Sequence, residues 1–168
     1  MTLRLRPLQL EDEGEARAAH GELAQEHFCF LLDLDPSEPW TTYLERLAQY
    51  RRGVDLPTDR VPATFLIAED GGALVGRVSI RHELNDFLAN EGGHIGYGVR
   101  PRYRRRGFAT EILRQALIIA RAEGIHCVLL TCDDDNAVSA WIIERAGGEL
   151  EDVRPGSDGV AKRRYWIQ

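Results

Sequence analysis

Five of the seven residues from Arg100 to Arg106 are arginines, and Gly107-Phe108-Ala109-Thr110 follows at once. The position of this run says more than its charge. An extended segment, His94 to Val99, precedes it, and apolar residues at helical spacing (Ile112, Leu113, Ala116, Leu117, Ile119, Ala120) follow it. A helix starting near Phe108 would present unpaired N–H groups and the positive end of its dipole to the loop. With Gly107 admitting close approach of the backbone and Ala109 keeping the next turn low, such a junction can cradle phosphate. The same run also reads as a solvated basic loop, or as a patch for nucleic acid. Neither the G-x-G-x-x-G of dinucleotide folds nor the G-x-x-x-x-G-K-S/T of nucleotide-phosphate loops occurs.

The elements around this junction can be read in outline. Leu3 and Leu5 alternate with polar neighbours up to Pro7, as in a short strand. Residues 10 to 32 are rich in Glu, Ala and Leu and predict a helix, interrupted by the prolines of Asp35 to Pro39; Trp40 to Arg51 resumes helical spacing. Ala63 to Glu69 and Ala73 to Arg81 flank Asp70-Gly71-Gly72, the chemistry of a hairpin turn. In His94 to Val99 two glycines weaken an ordinary strand and point to a bulge or to a ligand lying against backbone. Cys127 to Thr131 reads as a strand buried on both faces. Asn136 then opens a second helix closed by Gly147-Gly148, and extended segments around 149–154 and 161–167 finish the chain.

At 168 residues with 43% hydrophobic content, the sequence predicts one domain spanning 1–168. The net charge of -6 and pI near 5.4 disfavour a general partner for polyanions or anionic membrane surfaces, so any anion must be met locally. No segment reaches the roughly 18 apolar residues of a membrane span, and the amino-terminal residues lack the apolar run of a signal peptide. A cytoplasmic protein with no membrane partner is expected. Cys29, Cys127 and Cys132 are an odd number without C-x-x-C spacing, which predicts reduced, buried thiols. Strand alternation places Cys127 and Cys132 on opposite faces, so no metal is expected.

The segment Arg104-Arg105-Arg106-Gly107-Phe108-Ala109 resembles the signature of the GCN5-related N-acetyltransferases: Gln or Arg, two free positions, Gly, one free position, then Gly or Ala. Asn136-Ala137-Val138-Ser139 through Glu144-Arg145-Ala146-Gly147 resembles the family's later helix, which begins Asn-x-x-Ser. The stretch from Gly92 to Leu113 looks like an uncharacterised bacterial branch of that family. The resemblance implies a three-layer mixed α/β fold, its central, mostly antiparallel sheet splayed between the fourth and fifth strands, with helices on both faces. It also implies acetyl-coenzyme A as acyl donor, without a metal, and transfer of the acetyl group to a primary amine by direct attack in a ternary complex.

Carried over residue by residue, the resemblance assigns the coenzyme pyrophosphate to the backbone around Arg104, Arg105, Arg106, Gly107, Phe108 and Ala109, with Thr110 near a phosphate oxygen. Tyr97 and Val99 would pair by main chain with the pantetheine arm, and Asn136 and Ser139 would line the opposite wall. Asn136 is equally well explained as a helix cap. The tyrosine that the family often places in the later helix, as proton donor to the thiolate, is replaced by Ile143. Glu91 and His94, just before the glycine-containing strand, are the candidate bases for the acceptor amine. The acceptor, a small molecule or a peptide, has no motif of its own, and a monomer or a homodimer is expected. A non-catalytic sensor of acyl-coenzyme A is the second function class.

Overall fold

The computed structural model describes residues 2–168. Four strands, β1 (Arg4–Arg6), β2 (Ala63–Asp70), β3 (Ala73–Arg81) and β4 (Ile95–Val99), form an antiparallel sheet in that order. Three more, β5 (Val128–Asp133), β6 (Glu149–Arg154) and β7 (Lys162–Ile167), form a second antiparallel sheet in the order β5-β7-β6. The β2–β3 hairpin turns on Gly71 and Gly72, whose φ of 58° and 84° suit the mirror-image turns that match strand twist. Four helices complete the chain: α1 (Glu13–Ala24), α2 (Trp40–Arg52), α3 (Phe108–Ala122) and α4 (Ala137–Arg145). The mixed α/β class with helices on both faces is as expected.

Alternation along β3 explains the layering. Val78 and Ile80 point to one face, where they meet Ile112, Leu113 and Ala116 of α3 in a core that continues to Val128 and Leu130 of β5. On the other face α1 and α2 cover Phe65 and Ile67 of β2 with Ala19, Leu23, Trp40 and Tyr43. Burying each large apolar side chain of this kind contributes about 1.5–3 kcal/mol, so the α3 seam is a principal source of stability. From β3, Leu74 joins this core, whereas Arg77, Ser79 and Arg81 bring polar and charged groups to the same face.

Two expectations need correction. The helix predicted over residues 10 to 32 ends at Ala24, because His27 takes a positive φ of 59° and turns the chain back, so that Phe30 and Leu31 are fully buried in the α1/α2 core rather than continuing a helical stripe. The three cysteines are free as expected, but Cys29 and Cys127 are exposed and Cys132 half-buried. Cys29 lies in the loop after α1, and Cys127 just ahead of β5, outside the strand that was expected to bury it. Among the described residues no group of three His, Cys, Asp or Glu side chains could hold a metal ion, and no helix is long and apolar enough to cross a membrane.

Candidate active site

The two sheets touch at one point and part from there. At that point the His94 N–H donates to the Leu129 carbonyl at 2.7 Å, and the Leu129 N–H donates to His94 Nδ1 at 2.9 Å. Gly93 allows the contact: its φ is 65°, and a Cβ there would stand 2.7 Å from the Leu129 oxygen. Beyond this clasp β4 and β5 run in separate sheets.

Register shows which backbone groups face the gap. His94 accepts from the Arg81 N–H and Arg100 donates to Val75, so even-numbered residues of this segment bond to β3. Ile95, Tyr97 and Val99 therefore turn their N–H and C=O groups away from β3, toward the opening. By the same alternation Leu129, Thr131 and Asp133 of β5 face the gap, while their neighbours pair with β7. The Val99 carbonyl accepts from Arg104 Nε at 3.1 Å and the Asp133 carbonyl from the Asn136 N–H; the remaining outward groups leave a wedge with partly open strand edges on both walls, suited to an extended ligand that pairs by main chain.

At the mouth of the wedge lies the turn into α3. Arg105 has φ 59° and Gly107 has φ 80°, where glycine is favoured. Among the described residues none of the amides from Arg105 to Thr110 donates to a protein group. Six open donors lie at the positive end of a 15-residue helix, an arrangement able to accept an anion, in a loop that is exposed except at Phe108 and Ala109. The side chains of the arginine run behave differently. Arg100 is 2% exposed and is held by Glu15 and Glu22 of α1, Arg104 forms a two-pronged pair with Glu26, and Arg102 lies 3.6 Å from Glu15. Three of the five arginines thus fasten the loop to α1 and to the turn that follows it. Arg106 rests over the Tyr103 and Phe108 rings, and Arg105 has no carboxylate partner.

Behind the mouth, a cleft of about 280 Å³ is walled by Gly96 and Tyr97 of β4, Thr131, Cys132 and Asp133 of β5, and Asn136 and Ser139 at the start of α4, with Phe28, Arg77 and Arg81 on the side facing α1 and α2. Asn136 Oδ1 accepts from the Ser139 N–H at 3.1 Å, so it caps α4 and lines the cleft at once. The Tyr97 hydroxyl is buried without a hydrogen-bond partner, and burial pushes its pKa up to about 12, with nearby Ser139 opposing. Ile143 is buried in the core, so nothing at that position donates a proton. Asp133 is paired with Lys162 at 2.6 Å.

Neither His94 nor Glu91 lines this cleft. Because His94 Nδ1 accepts from Leu129, the neutral ring carries its proton on Nε2, and burial holds its pKa below the usual histidine value, assisted by the charge of Arg81. Both Glu91 carboxylate oxygens accept from Ser157, one from its N–H and one from its hydroxyl, each at 2.9 Å. Arg77 and Arg81, by contrast, lie in the cleft wall and carry no motif that would single them out in the sequence. A basic residue at an inward-facing strand position was the available signal.

The sequence matches the Acetyltransferase (GNAT) family over residues 23–147. The uncharacterised N-acetyltransferase YfmK of Bacillus subtilis is 29% identical over 96 residues, which span 57% of this chain and 61% of that relative. Among solved structures, yncA from Salmonella typhimurium, determined with its cofactor acetyl-CoA, superposes with a TM-score of 0.69 at 15% identity, covering 100% of this chain and 94% of the other. The Salmonella typhimurium acetyl transferase that modifies the N-terminal serine of ribosomal protein L7/L12 gives 0.71 at 15% identity, with coverage of 99% and 95%. At such identities the likeness is one of fold, and it extends over the whole chain. With the family match covering most of the sequence and the splayed strands, open helix start and capped fourth helix in place, the chain belongs to the GNAT acetyltransferase family.

Proposed function

We propose that the chain transfers an acyl group, acetyl in the first place, from acyl-coenzyme A to an amine by direct attack in a ternary complex. One observation carries the reading: six unengaged amides at the start of α3 open onto a wedge into which the Tyr97 and Val99 N–H groups also turn. A diphosphate with an extended amide-bearing arm fits that geometry. The Arg105–Thr110 amides would bind the diphosphate. Tyr97 and Val99 would pair with the arm, and an amide at or near Val99 would polarise the thioester carbonyl as the oxyanion forms. The ion pairs of Arg100, Arg102 and Arg104 leave little of the arginine run for a nucleic acid, which favours a compact phosphate ligand.

Two proton steps remain. The departing sulfur needs a hydrogen-bond donor, and with Ile143 in the core the buried Tyr97 hydroxyl is the donor that the cleft offers, protonated throughout the neutral range. The acceptor must arrive as free amine. Nearby positive charge disfavours an ammonium ion, so Arg77 and Arg81 promote its loss of a proton to solvent without a dedicated base. His94 and Glu91, engaged as they are, serve that step by holding the cleft open.

Acetyl-coenzyme A and a panel of amines, followed by thiol release, provide the test. The reading expects release with at least one amine and a kcat/KM that rises with pH until the free acceptor amine is deprotonated. Tight binding of acetyl-coenzyme A with no release for any amine would instead establish the sensor.

A further inference from the structure

Arg77 and Arg81 lie on one strand face, four residues apart, and their guanidinium groups approach the same glycine. Arg77 Nη1 donates to the Gly96 carbonyl at 2.9 Å, and Arg81 Nη1 stands 3.0 Å from where a Gly96 Cβ would be. Arg77 is 3% exposed. Its Nη2 donates to the Cys29 carbonyl, its charge sits 4.5 Å from the Phe28 ring centre, and its Nε has no partner. Arg81 Nη1 donates only to the carbonyls of Gly92 and Gly93. Of the other charged groups at the cleft and the cavity beside it, Asp133 pairs with Lys162 and Asp33 with Arg60. No carboxylate lies within 4.0 Å of either Arg77 or Arg81 among the described residues.

A buried and a half-buried cation side by side without an anion are a costly arrangement. Desolvation first, and mutual repulsion second, lower the Arg77 pKa to about 9; burial, with Arg60 adding, lowers that of Arg81 to about 10. Elsewhere this chain pairs its half-buried and buried arginines with carboxylates, as at Arg6, Arg100 and Arg164. The cleft is therefore short of one anion.

We propose that the acceptor supplies it: the substrate is an amine that also bears an oxyanion, in the first place an amino carboxylate, and Arg77 and Arg81 hold that anion beside Gly96. Arg81 and Ser79 also border a neighbouring, mainly apolar cavity of about 230 Å³ walled by Leu47, Phe65 and Leu88, which would take the rest of the molecule. Polyamines are disfavoured because the same two charges repel them. This assignment deepens the acyl-transfer reading and rests on it.

The test compares matched pairs in the thiol-release assay, free amino acids against their carboxamides, with spermidine as the cationic control. Carboxamides have the more acidic ammonium group and so present more free amine, a bias that runs against the proposal. The expected result is a kcat/KM for the best free acid roughly a hundredfold above that of its carboxamide. In Arg81→Gln this ratio should collapse toward one while calorimetry gives the wild-type affinity for acetyl-coenzyme A. Arg81 is the better probe because Arg77 also braces the Cys29 loop. Carboxamides or spermidine used as well as the acids, no turnover with any acid, or a ratio unchanged in Arg81→Gln would each overturn the assignment. If calorimetry shows acetyl-coenzyme A binding while the acids fail, only this inference is lost; absent binding defeats the underlying reading too.

Discussion

The two flanks of the cleft are built from different material. On the proposed donor flank the groups offered are main-chain amides, set by the backbone angles of Arg105 and Gly107 and by the start of α3. On the proposed acceptor flank they are side chains, Arg77 and Arg81, projected from β3 over Gly96 of β4. A main-chain site tolerates changes in side chains but not in backbone conformation. A side-chain site does the reverse, so one fold can keep its donor while changing its acceptor.

The sharpest way to break this contrast is at Gly107. Gly107→Val places a β-branched residue at φ 80° and should weaken acetyl-coenzyme A binding by roughly a hundredfold or more, measured by calorimetry. Arg105→Ala and Arg106→Ala should each cost only a few-fold, as exposed charges near a phosphate. If the arginine variants lose as much as the glycine variant, the donor flank is a side-chain site and the comparison fails.

Tyr97 sharpens the contrast within one residue, whose main chain is proposed to meet the donor arm and whose buried hydroxyl is proposed to protonate the leaving sulfur. Tyr97→Phe should leave acetyl-coenzyme A affinity unchanged and lower kcat by about tenfold to a hundredfold. An unchanged kcat would assign the proton to solvent.

His94 holds the flanks together. His94→Ala removes the acceptor of a buried N–H and should destabilise the fold by about 1–3 kcal/mol in denaturant titration, with kcat of the folded protein nearly intact. The pH dependence has a definite sign. With the folded-state pKa depressed, the unfolded chain binds the proton first, so His94's contribution is full above pH about 6.5 and declines as pH falls toward the lower folded value. The variant should show a flatter loss of stability in that window, although His20, likewise depressed by burial, keeps part of the slope. A fall in kcat without loss of stability would make His94 a participant in the chemistry.

The smallest effect is expected for Arg104→Ala. Its pair with Glu26 is exposed and screened by solvent, so the melting temperature should hardly move. A clear drop would show that the loop depends on α1 for its shape.

The open turn into α3 was legible in the sequence because such a helix start needs particular residues at fixed spacing, and Arg104 to Ala109 display them contiguously. The hairpin at Gly71-Gly72, the α3 stripe and the Asn136 cap were legible for the same reason, each being a local pattern. The acceptor flank was not. Arg77 and Arg81 differ from any surface arginine only in what β4 and the Phe28 loop place around them. Glu91 and His94 looked available because sequence proximity to the strand does not reveal that Ser157 and Leu129 engage them. The early end of α1 was hidden for a related reason, since Phe30 and Leu31 satisfy a helical pattern and a core-filling loop equally well.

The central claim concerns the amides at the start of α3, and an amide-resolved NMR titration with acetyl-coenzyme A tests it most directly. The account predicts that the amides of Arg105 to Thr110 show the largest shifts, saturating with the calorimetric affinity. Saturable binding that leaves those six amides unmoved would contradict it.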